Sequence, residues 1–553
     1  MDRRTTLSTL LGKKTKTAPK AAHKVMAPTD AGLEPYTGPW TYDLAAHLLR
    51  RCTFGPTYAQ IKDAVQNGLD QTLDTLLADL PLPEPPLNYN DDDDPNVAIG
   101  ETWIDAVYTN QDQLARRQQS LKAWTAGLIL NEGVSIREKM VLFWHNHFVV
   151  QNSIVQDGKY LYDYSNTLRT YALGNFRDFV KVITINPAML RYLNGNQNSK
   201  FAPNENYARE LLELFTIGKG ELAGPGDYTT FTEEDVAAAA RVLTGWRDFG
   251  YFTLVEQEVS SEYLNFRHDL GNKQFSHRFN NAVISNEGDQ EYAKLIDLIF
   301  EQEEVARFIC RKLYRWFVYY KIDDTIESNI IEPMAQLLIA NNYEIKPVLA
   351  VLLKSSHFLD VENIGCMIKH PLDFIYGLFK QFEVQIPTDL ALQYTIWFRM
   401  SRFAIGLQME YYEPPNVAGW KAFYQEPVFY QIWLNSVTLT SRMEFGTSII
   451  HPGYVNGLLI VDALGFLSKV EEPADVNPLL EEFVKILLPK PVLENQHDFL
   501  KEVLIPGLPD YEWNVEYSEY ISDPGNIDLA EGVRNKVKNL LITIATMPEY
   551  QLM

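Results

Sequence analysis

The chain has 553 residues, of which 46% are hydrophobic, 12% aromatic and 22% charged, and its formal net charge is −23. That length exceeds one simple core and predicts about two to four domains or one large composite helical body. The acidic balance repels a phosphate backbone and excludes general nucleic-acid binding, and no stretch reaches the ~18 apolar residues of a membrane span.

Residues 1–35 read as a disordered basic N-terminal tail. Arg3-Arg4 followed by Leu7, Leu10 and Leu11 is similar to a twin-arginine export signal, but Gly12-Lys13-Lys14 cuts the apolar stretch short. Localisation therefore stays open between the cytoplasm and export. Residues 36–450 are expected to form the main helical domain, with 451–553 a helical extension packed on it.

Apolar residues spaced by three and four predict two helices over 42–80, broken at Thr53-Phe54-Gly55-Pro56. Then comes the acidic loop PLPEPPLNYNDDDDPN, residues 81–96. Asn90, Asp92, Asp94 and Glu101 fall on calcium-loop spacings, yet Pro95 occupies the glycine position, so a solvated loop is the first reading. Two helices are expected over 101–150, two over 160–194, and one each over 203–217 and 232–246, the last opened by Thr232 as N-cap. FGYFTLVEQEVS, residues 249–260, alternates like a strand and predicts a small hairpin inside 248–285. Helices resume over 289–300, 303–320, 326–341, 345–356 and 369–383. Residues 384–450 are helical but interrupted by EPPNVAGW, and the chain is looser from about 470 until a helix at 528–547. The fold class is mainly α: a large multi-helix domain with a small β-hairpin insertion and irregular loops. Cys52, Cys310 and Cys366 are too dispersed for a disulfide framework or a thiolate metal site and read as free thiols.

Two constellations carry candidate chemistry. Ser135 can cap IREKMVLFWHNHFVV, a helix apolar nearly all round and therefore expected to be central and buried. On it His145 and His147 lie about 200° apart, so in a regular helix they cannot share one metal, and each ring needs its own hydrogen-bond partner. Either ring serves as a satisfied core histidine or lines a cleft as acid, base or single metal ligand, with Asn146 between them. The second constellation is PNENYARELLELFTIG, residues 203–218, whose polar arc holds Glu205, Asn206, Arg209, Glu210 and Glu213. That arc is either a solvated ion ladder or, turned inward against the histidine helix, one wall of a His/Glu pocket with Asn204 and the preceding asparagine-rich loop binding substrate.

HLLRRCTFGPT (47–57), REKMVLFWHNHFVV (137–150), NPAMLRYLNGNQNSKFAPNENYARELLELFTIG (186–218), TEEDVAAAARVLTGW (232–246), HDLGNK (268–273), LLKSSHFLD with IKHPLDF (352–374) and PPNVAGW (414–420) occur in this order. With these blocks the chain resembles the domain-of-unknown-function 1800 family of bacterial proteins. The resemblance implies a mainly helical fold and no established reaction. Members often look exported, and their genes often accompany those of a sulfatase-like family, domain of unknown function 1501, which implies work at the cell envelope on or beside a sulfated or phosphorylated polymer. Within the matched blocks, His268-Asp269 offers an Asp–His pair or a local turn, and Asn416 and Trp420 offer a sugar platform or a proline-fixed turn with a buried indole.

Two functions follow. In the first, His145, His147, Glu205, Arg209 and Glu210 form a catalytic pocket for hydrolysis or transfer on a glycan or related polymer. One imidazole is the base, one Glu the acid, with one divalent metal as a candidate cofactor and Asn146, Asn204, Asn206, His268, Asp269, Asn416 and Trp420 holding substrate. In the second, the helical body is a non-catalytic partner of a sulfatase-like protein, and the same polar residues fix helix register. The polar arc of 203–218 discriminates: a cleft-facing arc favours the enzyme, a solvent-facing one the partner.

Overall fold

Residues 32–90, 94, 96–255, 257–455 and 457–553 are described by the computed structural model. The expected tail lies almost wholly outside these residues, as does Asp92 of the acidic loop. Helices α1 (Tyr42–Cys52) and α2 (Tyr58–Leu76) flank the expected break. Thr57 closes it with a capping box to Gln60, each satisfying the other's backbone N–H. Gly55 in that turn has φ +97° and lies against Gly377, where a Cβ would come within 2.7 Å of backbone, so this turn admits glycine alone.

Helix α3 (Asp112–Asn131) packs along α10 (Leu390–Gly406), and α4 (Arg137–His147) packs on α5 (Gly158–Thr170). The N-cap of α4 is Ile136, which makes no side-chain cap; the expected cap, Ser135, lies one residue earlier and accepts from the Arg137 amide at 3.1 Å. Met140 to His145 are all buried, as the all-round apolar pattern predicts. Arg169 of α5 grips Glu138 of α4 with two bonds of 2.9 and 2.8 Å in the interior. Such a pair sets the register of two helices, because a shift of one turn would strand both charges.

The chain continues through α6 (Glu205–Glu210), which runs on as a π turn over Leu211–Thr216, and α7 (Glu233–Val242), capped by a Thr232–Asp235 box. Three small antiparallel hairpins follow one another: β1 (Leu222–Gly224) with β2 (Asp227–Tyr228), β3 (Trp246–Phe249) with β4 (Ser260–Tyr263), and β5 (Lys273–Gln274) with β6 (Val283–Ile284). The alternating stretch 249–260 is mostly the connection between β3 and β4 rather than the strands themselves. Helices α8 (Glu304–Phe317), α9 (Pro371–Gln381), α11 (Ser436–Ile450) and α12 (Ile527–Thr546) complete the core, with α12 packed on α11.

Two regions depart from expectation. Residues 160–194 form three helical pieces, because Asn186 and Pro187 start a new helix after Thr184. The segment after 470 is regular, with helices over Val476–Leu487, Glu494–Leu504 and Tyr511–Ser522, the first burying Leu479, Leu480, Phe483 and Leu487 on one face. The acidic loop is also not wholly solvated. Asp94 turns inward to Arg117 Nε at 2.6 Å and Gln113 at 2.8 Å, pinning the loop to α3. Among the described residues all three cysteines are free and no helix is long and apolar enough to cross a membrane.

Candidate functional site

Both histidines of α4 are buried, and each meets a different neighbour. His145 accepts the Tyr412 backbone N–H at its Nε2 (3.2 Å), which leaves Nδ1–H to donate to the Tyr164 hydroxyl (2.9 Å). Tyr164 passes its own proton to the Phe148 carbonyl at 2.6 Å. The chain of bonds is complete, and burial pushes the His145 ring down to about 3. His145 is a neutral bracket between α4, α5 and the 411–412 segment.

His147 stands at the end of the π turn. Its Nε2–H donates to the Phe215 carbonyl at 3.0 Å, and its Nδ1 lies 3.0 Å from Lys312 Nζ, which also reaches the Leu214 carbonyl at 3.0 Å. Helix ends leave their last carbonyls unpaired. Here His147 and Lys312 take two of them. Burial, then the Lys312 charge, hold His147 well below the usual imidazole range. Burial, then Arg315, push Lys312 down to about 7. Lys312 was not singled out by sequence reasoning. The available signal was Phe308, Lys312 and Arg315 at i, i+4 and i+7, one face of α8.

The polar arc of α6 does not join these rings. Glu205 and Asn206 are exposed, and Arg209 reaches α7, where it holds Glu233 through bonds of 2.8 and 2.6 Å. Glu213 turns to Lys219 at 3.3 Å, so the expected Glu205–Arg209–Glu213 ladder is replaced by pairs to other elements. Glu210 is half-buried, and burial followed by Glu213 raises its carboxyl. The asparagines serve the backbone. Asn204 caps α6 through the amides of Asn206 and Tyr207 and donates to the Leu193 carbonyl at 2.8 Å.

PPNVAGW docks on the histidine helix. Asn146 Oδ1 accepts the Trp420 backbone N–H at 2.9 Å, and Gly419 at φ +88° leaves no room for a Cβ beside Asn146. The Trp420 ring is buried against His145, which removes it as an open sugar platform. Asn416 closes a local turn with the Ala418 amide at 2.8 Å and meets the Tyr424 hydroxyl at 3.0 Å.

His268 has a carboxylate partner, but it is not Asp269. His268 Nε2 meets Glu291 at 2.9 Å, and Lys273 joins the same carboxylate at 2.5 Å, with all three side chains fully buried. Asp269 instead pairs with Arg241 at 2.7 Å near the surface. Adjacent residues in an extended chain point apart, so the carboxylate had to come from another element. A second interior network joins Lys139 of α4 to Asp373 and His370 at the start of α9, with His370 Nε2 at 3.0 Å from Asp373.

These networks brace helices, and none of the cavities described is lined by His145, His147 or His268. Among the described residues no three His, Cys, Asp or Glu side chains come together as a metal cluster. The largest cavity described, of about 840 Å³, lies beside Arg137, Arg169 and Glu344, away from both histidines of α4.

Fold and site together define a large, mainly α-helical protein whose motif residues His145, His147, His268 and Trp420 are held in its interior. The chain belongs to the family described as a protein of unknown function, DUF1800, whose model matches residues 47–552, the C-terminal extension included. Comparisons with curated proteins and with solved structures returned no match.

Proposed function

We propose that this chain is a non-catalytic helical partner protein that holds a second protein at the cell envelope. The observation that carries this reading is the placement of the expected catalytic set. His145 and His147 are saturated with protein partners in the interior, while Glu205 and Asn206 face solvent. A general base must reach the proton it abstracts, and neither ring has a free nitrogen to do so. A second observation supports a partner surface. Leu493, Phe499, Tyr511, Val515, Ile521 and Ile527 are 47% to 76% exposed on and around the C-terminal helices, of which Glu494–Leu504 and Tyr511–Ser522 pack on α12. Exposed apolar side chains of this size are candidates for protein–protein contacts where they adjoin one another. The genomic company implied by the family resemblance makes a sulfatase-like protein the first partner to test.

Co-expression of the full chain with that protein tests the reading. A complex that survives purification and is lost in Phe499→Asp with Val515→Asp supports it. Turnover of a glycan or sulfated polymer by the chain alone, abolished in Glu210→Gln, overturns it in favour of a hydrolase or transferase. One observation favours such chemistry: Lys312, half-buried beside His147 with its amine pushed down to about 7.

A further inference from the structure

Lys312 is held in a way that suits an uncharged amine. Two acceptors face its Nζ, His147 Nδ1 and the Leu214 carbonyl, each at 3.0 Å. A neutral amine has two N–H groups and one lone pair in tetrahedral array. With both N–H groups engaged, the lone pair takes the remaining direction. Among the described residues no ion pair is made to Lys312, and Glu213, one residue from Leu214, is turned to Lys219 instead. The Phe308 ring, 4.5 Å from Nζ, is the remaining neighbour that favours charge.

Arg315 stands three residues further on the same face of α8. It donates Nε to the Tyr320 carbonyl at 3.2 Å and makes no ion pair among the described residues, though Glu426 acts on it from a greater distance. An amine and a guanidinium, neither in an ion pair among the described residues and the latter over the Phe429 ring at 5.5 Å, share one helix face and match a ligand with an electrophilic carbon next to an anionic group.

We propose that Lys312 is a reactive amine that captures an anionic carbonyl compound of the 2-oxo acid class as a Schiff base, with Arg315 attracting the carboxylate. The amine lone pair adds to the carbonyl carbon, the C=O π bond opens, and the carbinolamine loses its oxygen with both amine hydrogens as one water. No oxidant or reductant enters. On taking up a proton from solvent the imine gains one N–H, which His147 Nδ1 is placed to accept. Burial and Arg315 push the Lys312 amine down to about 7, so it carries a far larger uncharged fraction at neutral pH than an ordinary lysine. This inference does not rest on the partner-protein reading, and each can fail alone.

The test uses the purified full-length protein, glyoxylate as probe and cyanoborohydride to trap the imine, with peptide mapping by mass spectrometry. Lys312 is expected to label at least about 10-fold faster at pH 7 than the median lysine, with a rate that is half-maximal near its own titration. Lys312→Met should lose this fast site while labelling at the other lysines stays the same, and Arg315→Gln should slow labelling by glyoxylate but not by acetaldehyde. Equal labelling of Lys312 and surface lysines overturns the reactive amine. Equal response of the two aldehydes to Arg315→Gln overturns the anionic class.

Discussion

Trp420 donates its backbone N–H to Oδ1 of Asn146 at 2.9 Å, and the glycine before it lies flat against the same side chain. This contact ties the 414–420 turn to the C-terminal end of the histidine helix, the point where α4 also meets the π turn through His147. Two blocks that read as separate motifs are halves of one joint.

Gly419→Ala should therefore destabilise the whole chain. Its φ of +88° is costly for an L-residue, and the added Cβ would collide with Asn146. A loss of about 1–3 kcal/mol is expected, read as a lower urea midpoint. An unchanged midpoint would show that the joint contributes nothing.

The buried Glu291 should matter far more than Asp269. Removing the carboxylate charge in Glu291→Gln leaves Lys273 buried without its counter-ion, a loss of about 3–5 kcal/mol. Asp269→Asn weakens a pair near the surface, worth under about 1 kcal/mol. Thermal melts of the two variants side by side check the order, and a reversed order would restore the Asp269–His268 pair that sequence adjacency suggests.

Stability should fall on acidification. Burial pushes His145 down to about 3 and His370 to about 4, while in the unfolded chain such rings titrate near 6.5. Between those values the unfolded state binds more protons, so each ring adds stability that is full above about pH 6.5 and is lost as pH falls towards its folded value. Each contributes a slope of about 1.4 kcal/mol per pH unit in that window. Urea titrations from pH 7 to 4 measure the summed slope, and a flat profile would refute the neutral, buried assignment.

Glu205→Gln and Glu210→Gln should leave the melting temperature and any partner complex unchanged, each within about 0.5 kcal/mol. Glu205 is exposed, and burial, then Glu213, raise the Glu210 carboxyl, so the amide removes a charge that its surroundings disfavour. Loss of the complex in either variant would place the α6 arc in the interface.

Periodicity made the helices legible, and the cap at Thr232 stands where the residue type puts it, whereas Ser135 lies one residue before the N-cap Ile136 and Thr57 was not singled out. The burial of α4 followed from its apolar circumference, and so did the separation of its two rings. What could not be read was partnership across elements. Nothing near His268 points to Glu291, nothing near Arg209 to Glu233, and nothing near His147 to Lys312, because each contact is made by tertiary packing over 23, 24 and 165 residues of chain. The polar arc of α6 fits an inner or an outer face equally well, and only its neighbours decide.

The central claim is that the two histidines of α4 are neutral structural brackets rather than acid or base groups. Histidine-selective NMR across pH 5 to 8 on the full chain, with His145→Gln and His147→Gln for assignment, tests it most directly. The account predicts that neither ring titrates in that range and that each holds one tautomer, Nδ1–H for His145 and Nε2–H for His147. A midpoint between pH 5 and 8 for either ring would contradict it and return that histidine to the list of catalytic candidates.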